Sequence, residues 1–132
     1  MKHFGPPPSV EELDSIAREA FAAIPKALRV HAKDVVIRVQ DFPDEEVLEE
    51  LECESAFDLL GLYQGVDLTR KSVSDSPQQP DMVYLYRRPI LDYWCDSEED
   101  LTHVVRHVLI HEIGHHFGYS DDDMEAIEEA AR

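Results

Sequence analysis

From Asp96 to Gly118 the chain reads DSEEDLTHVVRHVLIHEIGHHFG, the longest stretch with a helical signature. Asp96 and Glu99 are spaced as an N-terminal capping pair, and Gly118 is placed to end the helix as its C′ residue. Within it, histidines recur at 103, 107, 111 and 115. Each step of four residues drifts about 40° round a helix. His111 and His115 therefore share a face one turn apart, whereas His107 lies about 80° from His115 and His103 about 120°. The chain has 132 residues, enough for one hydrophobic core and too few for two, so the rest must fold around this helix.

Residues 1–8 end in a proline run and read as a flexible arm, leaving 9–132 as a single domain. Ser9 and Glu12 form a capping box. Val10, Leu13, Ile16, Ala17, Ala20, Phe21 and Ile24 then follow at helical spacing until Pro25 stops them. DVVIRVQDFP is β-branched and predicts a strand. DEEVLEELECES predicts a helix with Val47, Leu48 and Leu51 facing inward and its acidic residues in solvent. LYQGVDLTR is a second strand, KSVSDSPQQPD an exposed loop, and MVYLYRRPI a third strand with Pro89 at its end. A short helix in SDDDMEAIEEAAR closes the chain. The order α-β-α-β-β-α-α is that of an α+β domain.

The net charge of −17 makes nucleic acid a poor partner, because such a surface repels phosphate. It favours basic peptides or divalent cations weakly, and its simplest role is solubility. No run of eighteen apolar residues is present, so no membrane span is expected. MKHFGPPPSVEELD has no apolar core of a signal peptide, and Cys53 and Cys95 form no Cys-x-x-Cys pair. The expectation is a cytoplasmic protein with two reduced thiols.

The stretch HVLIHEIGHHFGYSDDD packs four histidines, a glutamate and three aspartates into seventeen residues. His111-Glu112-Ile113-Gly114-His115 is His-Glu-x-x-His. On a helix both imidazoles can reach one Zn²⁺ at roughly 2.0–2.1 Å, and Glu112 beside the first can take a proton from water at the metal. A catalytic zinc uses three protein ligands and leaves one position open. Gly118 can adopt the positive φ that reverses the chain, and Asp121, three residues on, can fold back as the third ligand. Asp122 competes for that role. Alternatively all three aspartates only cap a helix begun by Ser120 with Asp123 at N3. A core helix with locally satisfied histidines is the other account of the stretch, but it does not explain the added glycine and aspartate at fixed spacing.

Glu112 between two helical histidines, with a glycine and a third ligand ten residues after the first, resembles the zincin metallopeptidases with a metzincin-like extended motif. HEIGHHFGYSDDDM, preceded by YLYRRPIL, is similar to a small bacterial family described as a minimal zincin, or matrix-metalloprotease-like, domain. The likeness covers residues 82–124 by motif and the whole chain by length and element order. It implies a three-stranded, or four-stranded, mixed sheet packed on the active-site helix, with an edge strand that pairs with an extended peptide. Placed within residues 82–88, that strand would present Tyr84, Leu85, Tyr86 and Arg87 to the substrate. The chain departs from metzincins twice: Asp121 stands where most have a third histidine, and eleven residues after it leave no room for a downstream Met-turn. Met124 either underlies the metal or fills the core.

The resulting expectation is a metallopeptidase with one Zn²⁺ per chain held by His111, His115 and Asp121, Glu112 as general base, and an extended peptide or protein as substrate. A helix of histidines would also accept Ni²⁺, Co²⁺ or Cu²⁺. His107 is either an outer partner of the metal site or a buried, hydrogen-bonded histidine, and His103 belongs to the surface. His116 and Tyr119 could donate to a developing oxyanion or simply pack and cap. Arg87 and Arg88 hold a substrate carboxylate or form surface ion pairs. Trp94 and Phe117 read as core, and Cys95 as neither ligand nor nucleophile. Two other functions compete. One is a zinc-stabilised interaction module without turnover. The other, a zinc-dependent RNA hydrolase, is disfavoured by Asp121, Glu112 and the charge.

Overall fold

Ser9 opens the first helix as expected. Its hydroxyl accepts from the Glu12 amide at 3.1 Å while the Glu12 carboxylate accepts from the Ser9 amide at 3.2 Å. The computed structural model describes residues 6–32, 34–65 and 81–131. Residues 1–5 of the expected arm lie outside them, and the Pro8 carbonyl accepts from Arg87 Nε at 2.6 Å. Helix α1 (Val10–Ala22) buries Leu13, Ala17 and Ala20 along one stripe. Pro25 ends that pattern and serves as N-cap of a short helix not expected from the sequence, α2 (Lys26–Arg29), continued by a 3₁₀ turn at Val30–Ala32. Leu28 and Ala32 tie this corner to the core.

Strand β1 (Val36–Gln40) and helix α3 (Glu45–Glu50) follow. Val47 and Leu48 are half-buried, but Leu51 is 48% exposed, contrary to expectation. The helix stops at Glu50, so Leu51 leaves its inward face. Strand β2 (Gly61–Gln64) is the start of the second predicted strand. Residues 66–80, which hold the rest of that strand and nearly all of the expected loop, lie outside the described residues.

Strand β3 (Met82–Tyr86) is shorter than predicted, because helix α4 (Arg87–Asp96) takes over at once. Pro89 sits in the first turn of α4, where its missing N–H has no helical partner to lose. Asp96 is thus the last residue of α4, and the predicted capping pair of Asp96 and Glu99 is not used. Helix α5 (Leu101–His116) begins after Asp100, and helix α6 (Asp121–Ala131) closes the chain.

Among the described residues the sheet has three strands in the order β1-β3-β2. β1 runs parallel to β3 from Val36↔Met82 to Gln40↔Tyr86, and β2 runs antiparallel to it from Gly61↔Leu85 to Gln64↔Met82. The chain is an α+β domain with a mixed sheet, as expected. The predicted edge strand is a correction: β3 is central. Tyr84 and Leu85 pair on both sides, and Tyr86 pairs with Gln40 and donates to the Leu60 carbonyl at 3.0 Å. Arg87 belongs to α4, with Nη1 3.1 Å from Asp41. None of the four can present backbone to a peptide. The strand with a side turned away from β3 and towards α5 is β2.

α5 packs on β2 and β3, and α1 packs on α5 and β1. Val83 and Leu85 face these helices and are fully buried, as are Val105, Leu109 and Ile113 of α5. Trp94 packs partly buried against this core, whereas Phe117 is 36% exposed and stacks on His31. No helix among the described residues is long and apolar enough to cross a membrane.

Candidate metal centre

The end of α5 explains how the motif closes on itself. Gly118 has φ of 83°, the left-handed conformation open to glycine. Its amide donates to His115 O at 3.1 Å, and the Tyr119 amide reaches back to Gly114 O at 2.9 Å. These are the two bonds of a Schellman turn, and they reverse the chain within three residues of His115. Ser120 then starts α6. Its hydroxyl accepts from the Asp123 amide at 3.1 Å, and the Asp123 carboxylate accepts from the Ser120 amide at 3.3 Å. Capping is therefore done by Ser120 and Asp123. Asp121 points elsewhere: its Oδ1 lies 3.2 Å from His115 Nε2.

One ligand atom from each of His111, His115 and Asp121 lies within 4.8 Å of the others. Two imidazoles and a carboxylate so gathered suit Zn²⁺ and leave a fourth position for water. Burial lowers the pKa of His111, with a further push from His107, which favours the neutral ring that binds a metal. Asp122 is exposed and joins no such group among the described residues. The structure thus brings together the three residues the spacing nominated.

Glu112 projects from the same turn towards β2. Its Oε1 accepts from the backbone N–H of Tyr63 at 3.2 Å. Burial raises its pKa, while the Tyr63 hydrogen bond and the charge of His115 work the other way. Tyr63 also donates its hydroxyl to Asp81 at 2.7 Å and stacks on His116, ring centroids 3.9 Å apart. His116 accordingly packs on β2, and Tyr119 lies half-buried against the core with its hydroxyl 3.5 Å from Ala27 O. Neither is grouped with the candidate ligands. His103 is half-buried rather than on the open surface, with Nε2 3.0 Å from Glu99. His107 is exposed on one side and meets Glu128 of α6.

Met124 is fully buried in the core. It lies directly against Gly114, in the turn between the two motif histidines: a Cβ at Gly114 would overlap its sulfur. Core filler and support of the turn that carries the candidate ligands are here the same contact.

A model of the zincin-like metallopeptidase family matches residues 32–131, most of the chain. The chain belongs to this family. No curated protein matches it. Zinc binding and peptide-bond hydrolysis are the general properties of a zincin-like metallopeptidase, and they agree with a donor set of two histidines and a carboxylate beside a glutamate. Two residues near this site were not among those nominated from the sequence. Tyr63 reaches Glu112 across 49 positions, which no local pattern reveals. Glu128 follows Asp121 by seven residues, two helical turns on nearly the same face, and that spacing could have found it.

Proposed function

We propose that this zincin-like protein is a zinc-dependent peptidase in which His111, His115 and Asp121 hold the metal and Glu112 is the general base. The observation that carries this reading is the Schellman turn, which sets Asp121 Oδ1 3.2 Å from His115 Nε2 while other residues cap α6. When bound, the ion supplies Lewis acidity, polarising a carbonyl and making water easier to deprotonate. Glu112 takes the proton from the attacking water and hands it to the leaving amine. The Tyr63 amide holds the Glu112 carboxylate in the orientation this needs.

The substrate would lie extended along β2, not β3. β2 pairs with β3 on one side and meets the active-site helix on the other, so a peptide beside it runs past Glu112. The test is zinc content by mass spectrometry of the untagged protein, together with cleavage of a peptide library before and after chelation. About one zinc per chain and chelator-sensitive cleavage are expected. Absence of zinc after its addition at neutral pH would refute the proposal, and zinc without cleavage would leave an interaction module.

A further inference from the structure

α6 returns along α5, because the Schellman turn reverses the chain and the two helices pack together. Asp121 in its first turn faces His115. Seven residues and about 10.5 Å further on, Glu128 meets the preceding histidines of α5. Its Oε1 lies 2.5 Å from His107 Nδ1 and 3.8 Å from His111 Nε2. The His107 and His111 rings are themselves 4.1 Å apart between centroids. The groove between the helices therefore carries two sets of donors in a row. One ligand atom from each of His107, His111 and Glu128 lies within 4.8 Å of the others, as in the first set.

Glu128 is not an incidental surface acid. Its side chain is 13% exposed, and Oε1 is fully enclosed with no hydrogen bond of good geometry among the described residues, despite its closeness to His107. A buried carboxylate oxygen in that condition is unfavourable unless a cation or donor completes it. The sequence places His107 too far round α5 to join His115 on one ion, and the structure gives it a different carboxylate.

We propose that His107, His111 and Glu128 form a second site for a divalent transition metal such as Zn²⁺, sharing His111 with the site of the proposed function. The rings and carboxylate match the borderline donor preference of zinc. A neutral imidazole binds one ion through one nitrogen, so the two positions are alternatives. An ion in the second withdraws His111 from the first, and its donor set does not include Glu112. The second position is a resting or inhibitory one for the metal, and the inference about exclusivity rests on the proposed function.

The test is calorimetric titration of the metal-free full chain with zinc, with circular dichroism as the check of fold. The variants are His115→Ala with Asp121→Ala, His107→Ala alone, and all three together. His107, His115 and Asp121 side chains are 47%, 57% and 84% exposed, so these substitutions spare the core. Glu128→Gln serves as an independent variant that keeps the side-chain volume. Wild type is expected to bind one zinc per chain, His115→Ala/Asp121→Ala to keep one, and the triple variant to bind none. Adding Glu128→Gln to the double variant should weaken its zinc at least tenfold. Loss of all zinc from the double variant, with one zinc kept by His107→Ala, would overturn the second site and leave the proposed function standing; Glu128 would then only orient a ring. Zinc kept by the double variant but lost by His107→Ala would overturn the first site instead. Two zinc ions per wild-type chain would overturn the sharing of His111.

Discussion

The Tyr63 amide donates to the Glu112 carboxylate, joining the outer side of β2 to the helix that carries the candidate metal ligands. The contact orients the proposed base from the backbone, so it survives any change to the Tyr63 side chain that leaves β2 in place. Under the proposed function it also sets where an extended peptide would run, since β2 lies between the central strand and Glu112.

Glu112→Gln keeps an oxygen to accept from Tyr63 and nearly the same volume, so the fold and zinc content should be unchanged. Without a carboxylate to accept the proton, hydrolysis should fall by roughly 10²–10⁴-fold, the range that a positioned general base contributes. Cleavage rates on a fluorogenic peptide library, with zinc measured in the same samples, check this. A rate within a few-fold of wild type would remove Glu112 from the mechanism.

Asp121 and its neighbours separate ligation from capping. In a His107→Ala background, where only the first set of donors remains, Asp121→Ala should weaken zinc by at least the ~10–100-fold seen on losing an outer-shell partner. Asp122→Ala should not. Ser120→Ala should leave zinc affinity near its parent value and destabilise the fold by about 1 kcal/mol through loss of the N-cap. Competition with a zinc chelator and urea unfolding read the two effects apart. Equal zinc affinity in Asp121→Ala and Asp122→Ala would contradict the assignment.

Gly114 is required by packing more than by backbone freedom. Alanine there gains about 1 kcal/mol in helix propensity, but its Cβ collides with the Met124 sulfur. Overpacking of a filled core costs roughly 1–3 kcal/mol, so Gly114→Ala should be neutral to destabilising overall and should displace Met124 from beneath the motif. Thermal unfolding measures the balance. Stabilisation by the full propensity gain would mean that Met124 moves aside freely.

What the sequence made legible follows the range of each interaction. The α1 cap, the Gly118 turn and the gathering of His111, His115 and Asp121 all depend on contacts within about ten residues, and spacing reveals them. The order of strands does not. β-branched and aromatic residues in MVYLY are compatible with an edge or a centre, and only the parallel partner β1, brought from more than forty residues away, makes β3 central. Arg87 misled for a local reason, since a proline two residues on is equally at home at a strand end and in a helix's first turn. Leu51 and Phe117 are apolar residues just past helix ends, where periodicity no longer fixes their direction.

Tyr86 sets an alkaline limit on stability. Burial, and then the negative charges of Asp44, Tyr84 and Glu112, push its phenol up to about 12 from an ordinary value near 10. The folded state thus holds the proton more tightly than the unfolded one. Its contribution is complete below pH 10 and is lost as pH rises through about 12, because the unfolded chain ionises first. Tyr86→Phe removes the ionisation and should make stability fall less steeply between pH 10 and 12 than in wild type. The alkaline limb should persist in part, because Tyr63 is also held well above its ordinary range by burial and Asp81. Urea midpoints at pH 8, 10 and 11.5 for both proteins would test the slope. Parallel curves would show that Tyr86 ionises alike in the folded and unfolded chains.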